Sequence, residues 1–157
     1  YNQVAEETTD VNLFYSQTTK SSNTKVISAT QDGILKAKYP GVAKVTVKPA
    51  AGSGLSMSKT LVVLPSKVTG VKLTAKKKAM KVAWKKTAGA SGYKVYRATS
   101  KKGKYTCVKT ASSKTTSFTN KKLKKNKKYY YKVCAFVKSG KKTYNGAYST
   151  VVMKKAK

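Results

Sequence analysis

The chain has 157 residues, of which 35 are lysine or arginine, four are aspartate or glutamate and none is histidine, for a formal net charge of +31. General acid–base catalysis draws mostly on histidine and tuned carboxylates, so the composition removes most enzyme chemistry from the half of the chain that holds neither. No apolar run approaches the ~20 residues needed to cross a bilayer, and the 39% hydrophobic content suits small modules rather than one large core.

The charge is unevenly placed. Glu6, Glu7, Asp10 and Asp32 all lie in the first 32 residues. Up to Pro65, seven lysines against four acids leave +3; from Ser66 onward, 27 lysines and Arg97 meet no acid, leaving +28. Two units are therefore expected, 1–65 and 66–157. Charge this high is common in disordered chains, but those also lack aromatic and β-branched residues. Here valine, threonine and tyrosine are abundant and evenly spread, which points to folded β structure. The opening YNQVAEETT has no basic-then-apolar signal pattern, and is expected to begin a mature fragment of a longer protein.

In chain order, residues 42–48 alternate as Val-Ala-Lys-Val-Thr-Val-Lys, the pattern of a half-buried strand. An apolar strand over 60–64 ends at Pro65, which cannot donate to a ladder. The charge balance changes at the same point, so the boundary is placed there. Beyond it, strands are expected over 68–75, 79–86, 92–98, 104–110, 115–119, 127–138 and 143–153. Turn residues punctuate them at Gly89–Gly92, Lys102-Gly103, Lys125-Asn126 and Ser139-Gly140. Short strands at this spacing argue for β-sandwiches. No helix is expected, because the lysine clusters lack an apolar stripe at helical spacing.

Trp84 within Lys81-Val82-Ala83-Trp84, then Gly92-Tyr93-Lys94-Val95-Tyr96-Arg97, Thr116-Ser117-Phe118, and Leu123 followed by Tyr129-Tyr130-Tyr131-Lys132-Val133 form a specific set. Residues 66–157 thereby resemble a fibronectin type III domain over nearly their whole length. The resemblance implies a seven-stranded sandwich with Trp84 and Tyr93 in its core and Tyr129 as the tyrosine-corner residue. The family usually has Pro-Gly between that leucine and tyrosine. Lys125-Asn126 stands there instead, and asparagine tolerates a left-handed turn position.

Residues 20–48, with Ser21-Ser22-Asn23, Gly33, Lys36-Ala37 and Gly41, resemble the bacterial Ig-like domain of group 2. The match covers roughly residues 1–64 and lacks the family's first strand and its Gly-Glu-rich turn. The fold expected is thus all-β: two tandem Ig-like sandwiches, bacterial Ig-like and then fibronectin type III.

On the strand 127–138, alternation should turn Tyr129, Tyr131, Val133 and Ala135 inward, and Tyr130, Lys132, Cys134 and Phe136 outward. Lys94 and Tyr96 would share the outer face. Lys94, Tyr96, Tyr130, Lys132 and Phe136 are therefore the candidate contact surface, since aromatic faces stack on sugars and lysines attract polyanions. The plainer reading is a set of cross-strand pairs stabilising an exposed sheet.

Other chemistry finds little support. Glu6 and Glu7 are adjacent on an expected strand, so they point to opposite faces and form no catalytic pair. Cys107 and Cys134 are too few for a zinc site, residues 66–157 hold no carboxylate for calcium, and no phosphate-binding glycine loop is present. No cofactor is expected. Two cysteines in a chain that the resemblance implies is extracellular invite a disulfide. The family topology instead puts an intervening strand between them, a gap of ~9.6 Å against a bridging limit of ~7 Å, which favours free thiols.

The charge is nearly all lysine, a hydrated point charge rather than the rigid fork of arginine. That argues against a sequence-reading nucleic-acid partner. The two resemblances imply a non-catalytic role: spacer, display or adhesion modules of a secreted or cell-wall-associated protein of a Gram-positive bacterium. The expected partners are an anionic cell-wall polymer or a glycan, and further domains of the parent polypeptide. A carbohydrate-binding module using the outer aromatic face is the alternative.

Overall fold

A computed structural model describes residues 17–49 and 54–157. The readings made above at Tyr1, Glu6, Glu7 and Asp10 lie outside these residues. The described residues are all-β, without a helix. The chain divides into two compact units, Tyr1–Leu64 and Pro65–Lys157.

In unit one, β1 (Gln17–Ser21), β4 (Gly41–Pro49) and β5 (Met57–Val63) form an antiparallel sheet in the order β1-β4-β5. Between them in sequence, β2 (Ile27–Ala29) and β3 (Leu35–Ala37) pair as a separate two-stranded ribbon. Alternation along β4 turns Ala43 and Val45 inward, where they pack with Val26, Ile27, Val63 and Leu61. Lys44 and Lys48 turn outward and are exposed.

The Ser21-Ser22-Asn23 segment is held by its own side chains. Ser21 Oγ accepts from the Asn23 N–H at 3.2 Å, and Asn23 Oδ1 from the Lys25 N–H at 3.2 Å. Ser22 Oγ accepts from the Lys44 N–H at 2.9 Å. Such short polar side chains replace ladder partners where a strand gives way to a turn.

Unit two contains two sheets. One has the order β10-β7-β6, from β6 (Lys72–Lys76), β7 (Ala79–Ala83) and β10 (Ser117–Asn120). The other runs β12-β11-β8-β9, from β8 (Gly92–Ala98), β9 (Thr106–Ser112), β11 (Lys128–Ser139) and β12 (Lys142–Asn145). β13 (Val152–Lys155) also pairs with β11. Met80 and Val82 from the first sheet, with Trp84 just beyond β7, meet Tyr93, Val95, Tyr129, Tyr131, Val133 and Ala135 from the second in one core. The rings of Trp84 and Tyr93 lie 5.5 Å apart, tilted by 56°, a pairing worth ~0.5–1.5 kcal/mol beyond area burial.

Several expected boundaries move. The strand expected over 68–75 begins only at Lys72, because Gly70 adopts φ 66° and the Thr69 carbonyl turns to accept from Lys85. The strand expected over 79–86 leaves the ladder after Ala83, where Trp84 and Lys85 donate instead to Thr116 and Thr69. The strand expected over 104–110 runs from Thr106 to Ser112, with a bulge where β8 passes from Val95 to Tyr96.

The last expected strand, 143–153, is broken into β12 and β13. Gly146 and Ser149 donate from the intervening stretch to Ala135 and Val133, both at 2.8 Å. The Ser149 hydroxyl accepts from the Val133 N–H at 2.9 Å, taking the place of a backbone carbonyl. β11 therefore keeps its hydrogen bonds although its neighbour is irregular.

Candidate functional site

The candidate face is the side of the β12-β11-β8-β9 sheet turned away from the core. Antiparallel register sets its rows: Tyr96 opposite Lys132, Lys94 opposite Cys134, Gly92 opposite Phe136 and Ala98 opposite Tyr130. The five residues singled out in the sequence do share this face, but they do not make one open platform.

Phe136 is 3% exposed and Cys134 0%, whereas both were expected to face solvent. Alternation does aim them away from the core, but neighbours cover them. The Phe136 ring lies in the space left by the missing side chain of Gly92, where an added Cβ would come within 2.5 Å of Phe136 Cζ. The Lys94 ammonium caps the same ring at 5.6 Å from its centroid. Phe136 is thus withdrawn from the contact surface, and Lys94 is engaged in covering it.

Tyr96 and Lys132 belong to a second cluster with two tyrosines that the sequence reading did not select. Lys132 Nζ stands 3.9 Å from the ring centroid of Tyr148 and 4.5 Å from that of Tyr105. Tyr96 meets Tyr148 edge-on, at 5.3 Å and 87°. Burial, then a hydrogen bond with Tyr148, push the Tyr96 phenol above its ordinary pKa. Burial, then Tyr130, raise Tyr105. Tyr148 escaped the sequence reading because it sits in the irregular stretch between β12 and β13, where period-two parity fails. Tyr105 precedes β9 and belongs to no strand.

Chemically, this arrangement is a self-filled cation–π clamp. Lys132 occupies the ring faces that a stacking ligand would use. Its partners lie on different segments, so it ties the irregular stretch and the approach to β9 onto β11.

Two further features locate chemistry or its lack. Cys107 is exposed and Cys134 buried, and both are free thiols, separated by β8 as the family topology implied. Burial pushes the Cys134 thiol up to about 11, partly offset by Lys94. Among the described residues, no cluster of three His, Cys, Asp or Glu side chains could hold a metal ion.

The corner of the sandwich is well formed. Tyr129 Oη accepts from the Lys124 N–H at 3.0 Å. Asn126 adopts φ 61° in the turn between them. Arg97 lies over the Tyr129 ring at 5.5 Å.

No protein-family model matches the chain, and no curated protein matches it. Among solved structures, the FN1–FN3 domains of chicken CNTN1 align at 18% identity with a TM-score of 0.53, over 78% of this chain and 46% of that one. The chain has a fibronectin type III-like fold. An Fn3-like protein from Clostridium thermocellum aligns at 27% identity with a TM-score of 0.46, over 57% of this chain and 92% of that one. A β-1,2-glucanase from Parabacteroides distasonis aligns at 20% identity with a TM-score of 0.48, over 73% of this chain and 18% of that one.

Proposed function

We propose that the chain is a pair of non-catalytic, extracellular accessory modules of a larger secreted or wall-associated bacterial protein. In this reading unit one is a bacterial Ig-like module, and unit two spaces or displays its neighbours. Retention at the cell surface is electrostatic, through an anionic wall polymer. One observation carries the reading: residues 66–157 hold 28 basic side chains and no acid, while their inward positions stay apolar. A surface of this kind attracts any polyanion through summed charge rather than through one pocket. Lysine in place of arginine favours loose point-charge contact over bidentate reading of bases.

The test is sedimentation with purified Gram-positive walls. The chain should co-sediment at low salt, and stripping the wall phosphates should release it. Undiminished binding to stripped walls contradicts the proposal. The carbohydrate alternative ranks behind it, because a sugar stacking on Tyr105 or Tyr148 must first displace Lys132.

A further inference from the structure

The outer face of the unit-one sheet carries a groove quite unlike the clamp of unit two. It lies over β1 and β4, is half open to solvent with a volume of about 350 Å³, and its lining includes Thr18, Lys20, Ser22, Lys44, Thr46 and Lys48. Among the described residues, no carboxylate lines it. Cross-strand register sets Thr18 opposite Lys48 and Lys20 opposite Thr46. Each of these two lysines therefore faces a hydroxyl and never another lysine, which avoids like charges directly across the ladder.

Lys44 and Lys48 are four residues apart on one strand, about 14 Å between backbones, and Lys20 projects beside the midpoint on the neighbouring strand. Flexible stems of this length let three ammonium groups converge from different sides on one centre. Two hydroxyls can assist. Ser22 Oγ already accepts from the Lys44 N–H, so its own proton is left to donate into the groove. Thr46 Oγ1 shares a 2.8 Å contact with Ser58 Oγ, and when Ser58 donates there, the Thr46 proton is also free.

We infer that this groove is a phosphate-group site. Three lysines and two hydroxyl donors lining one groove, with no carboxylate among its described residues, match the several oxygens and high charge of a phosphate better than a single carboxylate. The site is read from unit one alone. It rests on the wall-retention proposal only for the idea that the phosphate comes from a polymer, and free phosphate is the other source.

The experiment is a residue-resolved amide NMR titration of the full chain, first with inorganic phosphate, then with a glycerol-phosphate polymer, and finally with polygalacturonate as a phosphate-free polyanion. Saturable shifts confined to residues 18–22 and 44–48 are expected with both phosphate ligands, tighter with the polymer if that is the natural source. Lys44→Gln and Thr46→Val should each weaken groove binding about tenfold, as expected for losing a hydrogen bond to a charged group. Both are strand positions on the outer face, so spectra of the free variants should otherwise match the parent. Shifts spread over the lysines of unit two with none saturating in the groove overturn the inference, as does equal groove binding of polygalacturonate. If groove shifts are absent but walls still bind in a salt-sensitive way, this inference fails and wall retention survives.

Discussion

Tyr129 shows how one atom secures the corner of unit two. Its hydroxyl satisfies the Lys124 N–H, in the turn where Asn126 takes a left-handed conformation. Tyr129→Phe keeps the ring in the core but orphans that part-buried donor. The expected loss is about 1–3 kcal/mol, read as a lower urea midpoint with unchanged m-value. An unchanged midpoint would mean that water replaces the hydroxyl. Cys134 makes a second residue-scale prediction. Near neutral pH, a thiol-alkylating reagent should modify Cys107 alone in the native chain and both cysteines in urea. The Cys134 thiol is raised from its ordinary 9.0 to about 11, so well below pH 9 it is neutral in both folded and unfolded states. Between about 9 and 11 only the unfolded chain loses the proton, so stability falls as pH rises through that window. Cys134→Ala should remove this component of the alkaline slope, and parallel curves for the two proteins would refute the assignment.

Strands and their pairings explain which parts of the fold were legible in the sequence. The bounds of β8 match those expected from sequence, because Gly92 and the alternation from Tyr93 to Arg97 are local signals. The inward set on β11 was legible for the same reason. The burial of Phe136 was not, because it depends on a glycine across the ladder on another strand, and alternation reports a face without reporting what covers it. The break between β12 and β13 was equally hidden, since the Ser149 hydroxyl replaces a backbone partner without disturbing the composition of the segment. The clamp residues Tyr105 and Tyr148 sit outside regular strands, so their convergence on Lys132 is a product of tertiary structure. Gly92→Ala tests the cross-strand account. An added methyl would collide with Phe136 and the Ala111 carbonyl, with an expected cost of about 1–3 kcal/mol from overpacking. Gly92→Ala combined with Phe136→Leu should recover part of that loss. Additive destabilisation in a double-mutant cycle would show that the two positions do not share space.

At the level of the whole chain, the division of charge matters more than its total. The lysines of unit two stand mainly at turns and outward positions around an apolar core, and one of the best placed, Lys132, is consumed by its own tyrosines. On the proposed reading, the specific phosphate contact belongs to the weakly charged unit one, and the strongly charged unit two supplies long-range attraction. The most direct test of electrostatic retention is the affinity of the full chain for an isolated phosphate-rich wall polymer across a salt series. If about four phosphates are engaged, affinity should fall about a hundredfold between roughly 50 and 200 mM salt, with log K linear in log salt. Affinity that stays level across that range would contradict the account.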